Sequence, residues 1–487
     1  MPIRRGGARR PPVRCPDDLV PGPLVSADPI SDLGAELAAV LAEAATAHGV
    51  PGAAAAVVAA SEVHLAAHGV THADHPAAVS ATDTLFQVGS ITKTLTSAAV
   101  LQLVEEGRLA LDDLVVDRVP ALRALADGGG PDLAGVTLEH ALSHRAGIDG
   151  DHLLVTRRAA DVADLAGARR LFPPGAGFSY SNVGFTLAGL VIEQATGQTF
   201  EAVVRERLLW PLGVTGAGFR ADDLITRPVA APHLVVDGAA HVLHGAGWQA
   251  GWELAPLDRA AGGLVASASH LAAWGRLQWT GAGADGAPVL APATLARLHT
   301  PVVEADAREH IALDWFVRDV DGLRTIGHGG VTVGYVSQLT VAPAAEVAVV
   351  TLTNATNGGA VNQVVRRWAL ERTAGVVERD PRPAPGRHPD APGRATGTYL
   401  HAFGRLEVEA GADPGTVVLT VEPRADLDDD AWQPLAEPPI SYAFFTGRDA
   451  VSTDAPGPVR RLLRFGDDTA GPAAWVLSGS RRAPRLT

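Results

Sequence analysis

The sequence predicts a mixed α/β (α+β) chain: a sheet packed by terminal helices with a helical region inserted into it, followed by a small β domain. Three observations carry that reading. Strand-like runs lie near both ends of the first 375 or so residues, with helical segments broken by Gly and Pro between them. The stretch 378–395, "ERDPRPAPGRHPDAPGRA", is rich in proline. Beyond it the pattern changes to short apolar runs separated by turn residues.

Taken in order, residues 29–48 read as a helix, with Leu33, Leu37, Val40 and Leu41 at helical spacing and Gly49 as its stop. Two strands follow near 52–60 and 62–70. From Ser90 to about Glu106 the spacing of Leu95, Val100, Leu101 and Leu103 is helical again, with Gly107 after it. Residues 109–300 hold several helical segments. Four strand-like runs occupy 311–353: "IALDWFVRD", "LRTIGHG", "YVSQLTVA" and "VAVVTLTN". A helix over about 359–374 closes this domain, taken as 29–377. The five prolines of 378–395 predict a stiff linker. "RLEVEA", "TVVLTVE", "RRLLRF" and "AAWVLSG" then read as strands of a barrel or sandwich spanning 396–487.

Gross composition narrows the function. With 47% apolar residues the chain can bury a substantial core, and its formal charge of −14 argues against a nucleic-acid partner. No run of 18 apolar residues predicts a membrane span. Arg4, Arg5, Arg9, Arg10 and Arg14 are not followed by a signal-length apolar run before Pro21 and Pro23, so 1–28 reads as a flexible tail and the expected location is the cytoplasm. The lone cysteine, Cys15, permits no internal disulfide and fits that compartment.

The chemistry starts from an anomaly: Lys93, in "FQVGSITKTLTSA", is the one lysine against 39 arginines. Coding bias accounts for the scarcity of lysine but not for where one is kept. Arginine stays protonated in proteins, whereas a buried lysine can lose its proton and act as a base. Ser90 stands three residues earlier, on the same helical face, where a neutral Lys93 amine could take its proton. In "FSYSNVG", Tyr180 offers a phenol able to relay a proton and Asn182 an amide that donates and accepts, alternate positions of an extended loop facing one side. In "GHGGVTVGY", His328 sits on a strand where Gly329 and Gly330 would let a substrate backbone lie close. The N–H of Val331 with that of Ser90 could form an oxyanion hole. Singly, each has a plainer reading: a helix cap and a surface lysine, a turn, a structural histidine. Their joint order and spacing favour catalysis.

These motifs resemble the serine β-lactamase and penicillin-binding-protein superfamily, in its class C-like branch. The resemblance extends to "VEEGRLALDDLVVDRVP", "LEHALSHRAGI", "FPPGAGFSYSNVGFTLAGLVIEQATG", "PLGV" and "AGGLVAS", covering roughly 29–375. It implies an antiparallel sheet, Ser90 as the acylated nucleophile, Lys93 as its partner base, Tyr180 as general base and acid, and Asn182 as a ligand of the substrate amide. "HGG" stands for the usual Lys-Thr-Gly strand, so His328 replaces the family's commoner lysine and can instead hydrogen-bond Tyr180 or a substrate carbonyl. His270 stands where such proteins often carry Asp.

A catalytic domain, linker and small C-terminal β domain are most similar to the penicillin-binding-protein-type thioesterases, which carry a lipocalin-like C-terminal domain. That implies attack by Ser90 on a carrier-bound peptidyl thioester, with a peptidyl carrier protein as partner, and release as a macrolactam. A cytosolic carboxylesterase or D-amino-acid-specific peptidase is the alternative within the family, and an idle sensor or scaffold the alternative outside catalysis. No cofactor is expected. Gly262, in a "GG" pair, either lets substrate pass close to backbone or makes a turn. His233, His241, His244, Trp248 and Trp252 suggest the lining of a cleft in preference to a zinc site.

Overall fold

The computed structural model describes residues 32–59, 61–127, 130–153, 161–243, 252–423, 438–454, 460–466 and 471–486. The predicted tail with Cys15, and His244 and Trp248, lie outside them. Among the described residues no helix is long and apolar enough to cross a membrane.

The first domain is built on an eight-stranded antiparallel sheet. Its strands run in the order 62–69, 52–59, 347–353, 335–342, 323–332, 316–320, 309–311 and 303–304, so a strand from the start of the domain pairs with one from its end. The strand Gly52–Ala59, "GAAAAVVA", is buried along its whole length. Its small residues explain this. Ala53, Ala55 and Val57 face the helices Leu33–Ala47 and Gly359–Ala374, in a core with Leu37, Leu41, Val361 and Val365. Ala54, Ala56 and Val58 face the larger core formed with the inserted helical region.

Two predicted elements break where the backbone turns left-handed. The helix foreseen from Ser90 begins as a 3₁₀ turn over Gly89–Ile91, with Gly89 at φ +52°, and becomes α-helical over Thr92–Glu105. The run "IALDWFVRD" is two strands, Glu309–Ile311 and Phe316–Val320, because Asp314 adopts φ +73° in a tight turn where Ala312 N–H meets Trp315 O at 2.9 Å.

The C-terminal domain resolves the choice between barrel and sandwich. Eight antiparallel strands follow one another in sequence order from Gly397–His401 to Arg481–Pro484. The ends approach through a bridge from Tyr399 to Arg485 and the bond from Leu486 N–H to Thr398 O at 2.8 Å, giving a nearly closed barrel. Residues 378–395 are docked on both domains. Glu378 pairs with Arg366 at 2.7 Å and Asp380 with Arg367 at 2.8 Å, while Ala391 and Ala395 join the barrel core.

Candidate active site

Ser90 sits on the 3₁₀ turn at the start of the Thr92–Glu105 helix, and Lys93 one turn further in is fully buried. Lys93 Nζ lies 2.8 Å from Ser90 Oγ and also donates to the carbonyl of Ala261. Burial, reinforced by Arg481 and opposed by Asp314, lowers the Lys93 ammonium to about 7. Near neutral pH its amine can therefore accept the Ser90 proton while still holding Ala261.

Tyr180 hydrogen-bonds Ser90, and its ring centroid lies 5.1 Å from Lys93 Nζ. Burial and the Asp314 carboxylate push its phenol far above the ordinary range, against the effect of the Ser90 bond. The resting phenol is thus neutral, and with Lys93 beside it as the amine able to take a proton, Tyr180 is placed to relay one. Asn182 is not on an extended loop but opens the Asn182–Thr196 helix, whose N-cap Ser181 accepts from Gly184 N–H at 3.1 Å. Its Nδ2 donates to Asp151 Oδ1 at 2.7 Å, leaving the amide carbonyl as its acceptor for substrate.

His328 lies on the Leu323–Thr332 strand and lines one cavity with Ser90, Tyr180 and Asn182, but it makes no bond to Tyr180. Its Nε2 lies 3.2 Å from Asp314 Oδ1, without the alignment of a hydrogen bond, and its Nδ1 lies 2.5 Å from Gly329 O. His144, from the segment "LSHRAGI", completes a buried group. Ser181 N–H donates to His144 Nδ1 at 3.0 Å, which places the ring proton on Nε2, 3.1 Å from Asp314 Oδ1. The His144 ring stacks on Tyr180 at 4.3 Å. Burial would raise the Asp314 carboxyl, but His328 and the bond from His144 outweigh it and bring the group to about 2. His144, Asp314 and His328 stand close enough to hold a metal ion. A nitrogen that carries the bonded proton cannot also give its lone pair to a metal, so the hydrogen bonds fit a relay better than a metal centre.

The glycines divide. A Cβ on Gly330 would lie 1.9 Å from Val88 O, so this residue, expected to bind substrate, instead lets the strand close onto the Ser90 turn. A Cβ on Gly89 would lie 2.9 Å from Val331 N, so the strand at Val331 packs directly against the turn that carries Ser90. Gly262 and Gly329 line the cavity, with Gly262 packed beside Gly89 and Leu254. His233 is buried between Ala73 N–H and Asn354 O, and Trp252 donates to Tyr335 Oη at 3.0 Å. Neither of these two lines the cavity as expected, because their polar atoms are committed to backbone or to a buried phenol, and His241 lies exposed on the Ala239–Val242 strand away from it. His270 reaches back to Ser267 N–H as a helix cap.

The cavity holds about 860 Å³, and part of its wall is the barrel: His401, Phe403, Leu406, Val421, Arg461 and the hairpin turn Ser478–Arg481. Arg481 pairs with Asp151, with Nη2 to Oδ1 at 3.2 Å, and lies 4.9 Å from the Tyr180 ring centroid. Burial opposes ionisation of Asp151, but Arg481 keeps its carboxyl below the usual range. Arg481, Asp151, His144, Asp314 and Asp258 were missed from the sequence. Gly479–Ser480 between two strand-like runs was a readable hairpin signal, but not what the hairpin would touch.

A family model described as Beta-lactamase matches residues 37–374. Penicillin-binding protein 4 of Amycolatopsis lactamdurans is 33% identical over 326 residues, 63% of this chain and 82% of that protein. Among solved structures, SurE is 27% identical and superposes with a TM-score of 0.70 over 94% of this chain and all of its own; it is also solved with D-Leu. A D-stereospecific amidohydrolase from Streptomyces sp. is 25% identical, with a TM-score of 0.56 over 70% of this chain and 99% of its own.

Proposed function

Because this chain belongs to the beta-lactamase family, within the superfamily of serine β-lactamases and penicillin-binding proteins, we propose that it is a peptide cyclase acting on carrier-bound peptidyl thioesters. As a serine hydrolase of that family it works by acyl transfer through Ser90. Lys93 takes the Ser90 proton as Oγ attacks the thioester carbonyl, the amides of Ser90 and Val331 hold the oxyanion, and the thiol departs with a proton relayed through Tyr180. The N-terminal amine of the same peptide then attacks the ester and gives a macrolactam. Water in its place gives the linear acid. With this reading goes a cytoplasmic reaction and a peptidyl carrier protein as partner.

One observation carries this reading: the catalytic cavity is walled in part by the barrel, and the likeness to SurE extends over that barrel as well as the catalytic domain. The likeness to the Streptomyces amidohydrolase stops at 70% of the chain. A wall of Phe403, Leu406 and Val421 suits a folded-back peptide better than a small ester. SurE with D-Leu supports a D-residue at the acylating end.

The test is to incubate the protein with peptidyl thioesters ending in a D- or an L-residue and to follow enzyme and product by intact mass. A peptidyl adduct absent from Ser90→Ala, with a product one water lighter than the linear acid, is expected. Linear acid alone, or turnover only of simple esters and D-amino-acid amides, would favour hydrolysis.

A further inference from the structure

Release by an amine needs a place for that amine, and among the described residues the cavity wall holds one carboxylate with a buried oxygen that has no hydrogen-bond partner. Two acids line it, Glu253 and Asp258. Glu253 is committed to Arg259 at 2.6 Å. Asp258 ends the turn Pro256–Asp258 and starts the short helix Arg259–Gly262, whose Ala261 carbonyl anchors Lys93, so it stands about one helical turn from the anchor of the base. It is 6% exposed, and its Oδ1 is buried without a hydrogen-bond partner among the described residues. An unpaired buried carboxyl is costly to keep unless a ligand completes it. The basic groups in the same wall, Arg461 and Arg481, leave Asp258 as the position suited to a cation.

We propose that Asp258 receives the ammonium group of the attacking residue and takes its first proton. This rests on the acyl-transfer reading above. The ammonium passes one proton to the Asp258 carboxylate, and the free amine attacks the acyl carbon of the Ser90 ester. The C–N bond forms as the C–Oγ bond breaks, and the second amine proton reaches Ser90 Oγ through Tyr180 and Lys93. Asp258 then returns its proton to solvent. Burial, opposed by Lys93, brings the Asp258 carboxyl up to about 7, which suits a group that gains and loses a proton near neutrality.

The full-length protein is given a peptidyl N-acetylcysteamine thioester with a free N-terminus and, separately, an N-acetylated one with an added amino-acid amide. The ratio of amide product to linear acid is read by mass. In Asp258→Asn that ratio falls about tenfold or more in both arms, and Asp258→Glu restores part of it. Asp258→Ser, also uncharged, gives the same reading should the Asn variant not fold. If Asp258 served only Lys93, amide and acid would fall together and the ratio would stay; an unchanged ratio overturns the inference while amide formation by the parent protein leaves acyl transfer standing. A parent protein that forms only acid in both arms overturns the inference together with the cyclase reading, and leaves Ser90 acyl transfer to water.

Discussion

The main-chain N–H of Tyr180 donates to the carbonyl of Ser480 at 2.8 Å. The loop carrying the phenol is thereby bonded to the last hairpin of the barrel, whose turn residues Gly479 and Ser480 both adopt positive φ, +54° and +66°. That turn delivers Arg481 to Asp151, which in turn holds Asn182.

Arg481→Ala should therefore damage catalysis from the second domain. It leaves the buried Asp151 carboxylate unpaired, at a cost below the ~3–5 kcal/mol of a fully buried pair because solvent reaches part of the arginine. Loss of Asn182 alignment should lower kcat/KM by roughly ten- to a hundredfold. Thermal melts and kcat/KM for Arg481→Ala, Asp151→Asn and the double variant check this. Strictly additive effects would mean the pair carries nothing.

Acylation should follow the protonation of Lys93. Its folded value, about 7, lies below the ordinary lysine range because the group is buried. Asp314, Asp151 and Asp258 oppose that shift and Arg481 adds to it. Below that pH the ammonium cannot accept the Ser90 proton, and above it the amine can, so the acylation rate rises with pH and levels off. Lys93→Arg, permanently charged, should lose about 10²- to 10⁴-fold, as should Lys93→Ala. Quench-and-mass measurements of the Ser90 adduct across pH 5 to 9 test it; a flat parent profile would count against the base role.

Asp314 holds a left-handed backbone that glycine would adopt freely, so what the position gains is its carboxylate. Asp314→Gly should relieve backbone strain of order 1 kcal/mol yet release His144 and His328, lowering kcat by about ten- to a hundredfold. Asp314→Asn keeps an oxygen that can accept from His144 Nε2–H and removes only the negative charge, so it should lower kcat through the lost charge alone. Melting temperature and kcat together decide it, and a fully active Asp314→Gly would show the group to be structural.

Prolonged dialysis against a strong zinc chelator should leave turnover unchanged, because the Nε2 proton of His144 is engaged with Asp314. Activity lost on dialysis and restored by a divalent cation would reverse the reading of this cluster.

Much of the site was legible beforehand. Ser90 and Lys93 are three residues apart on a helical run, and a single retained lysine marks chemistry that arginine cannot do. Tyr180 and His328 were legible as motif residues, and the structure brings both to the Ser90 cavity. The roles of Gly330 and His233 were not, since close backbone approach and burial between two main-chain groups leave no pattern in composition or spacing.

Local order along the chain dictates the elements and their faces: the alanines and valines of Gly52–Ala59 must be buried on both sides whatever surrounds them, and a serine one turn before a lysine must share its face. Partnership between distant residues follows a different physics. Asp151 and Arg481 are 330 residues apart, and His144 and Asp314 170 apart. Their contacts arise from how the barrel docks and from one left-handed turn at Asp314. Neither is encoded in periodicity, because the free energy of each contact belongs to the packed chain and not to any segment of it.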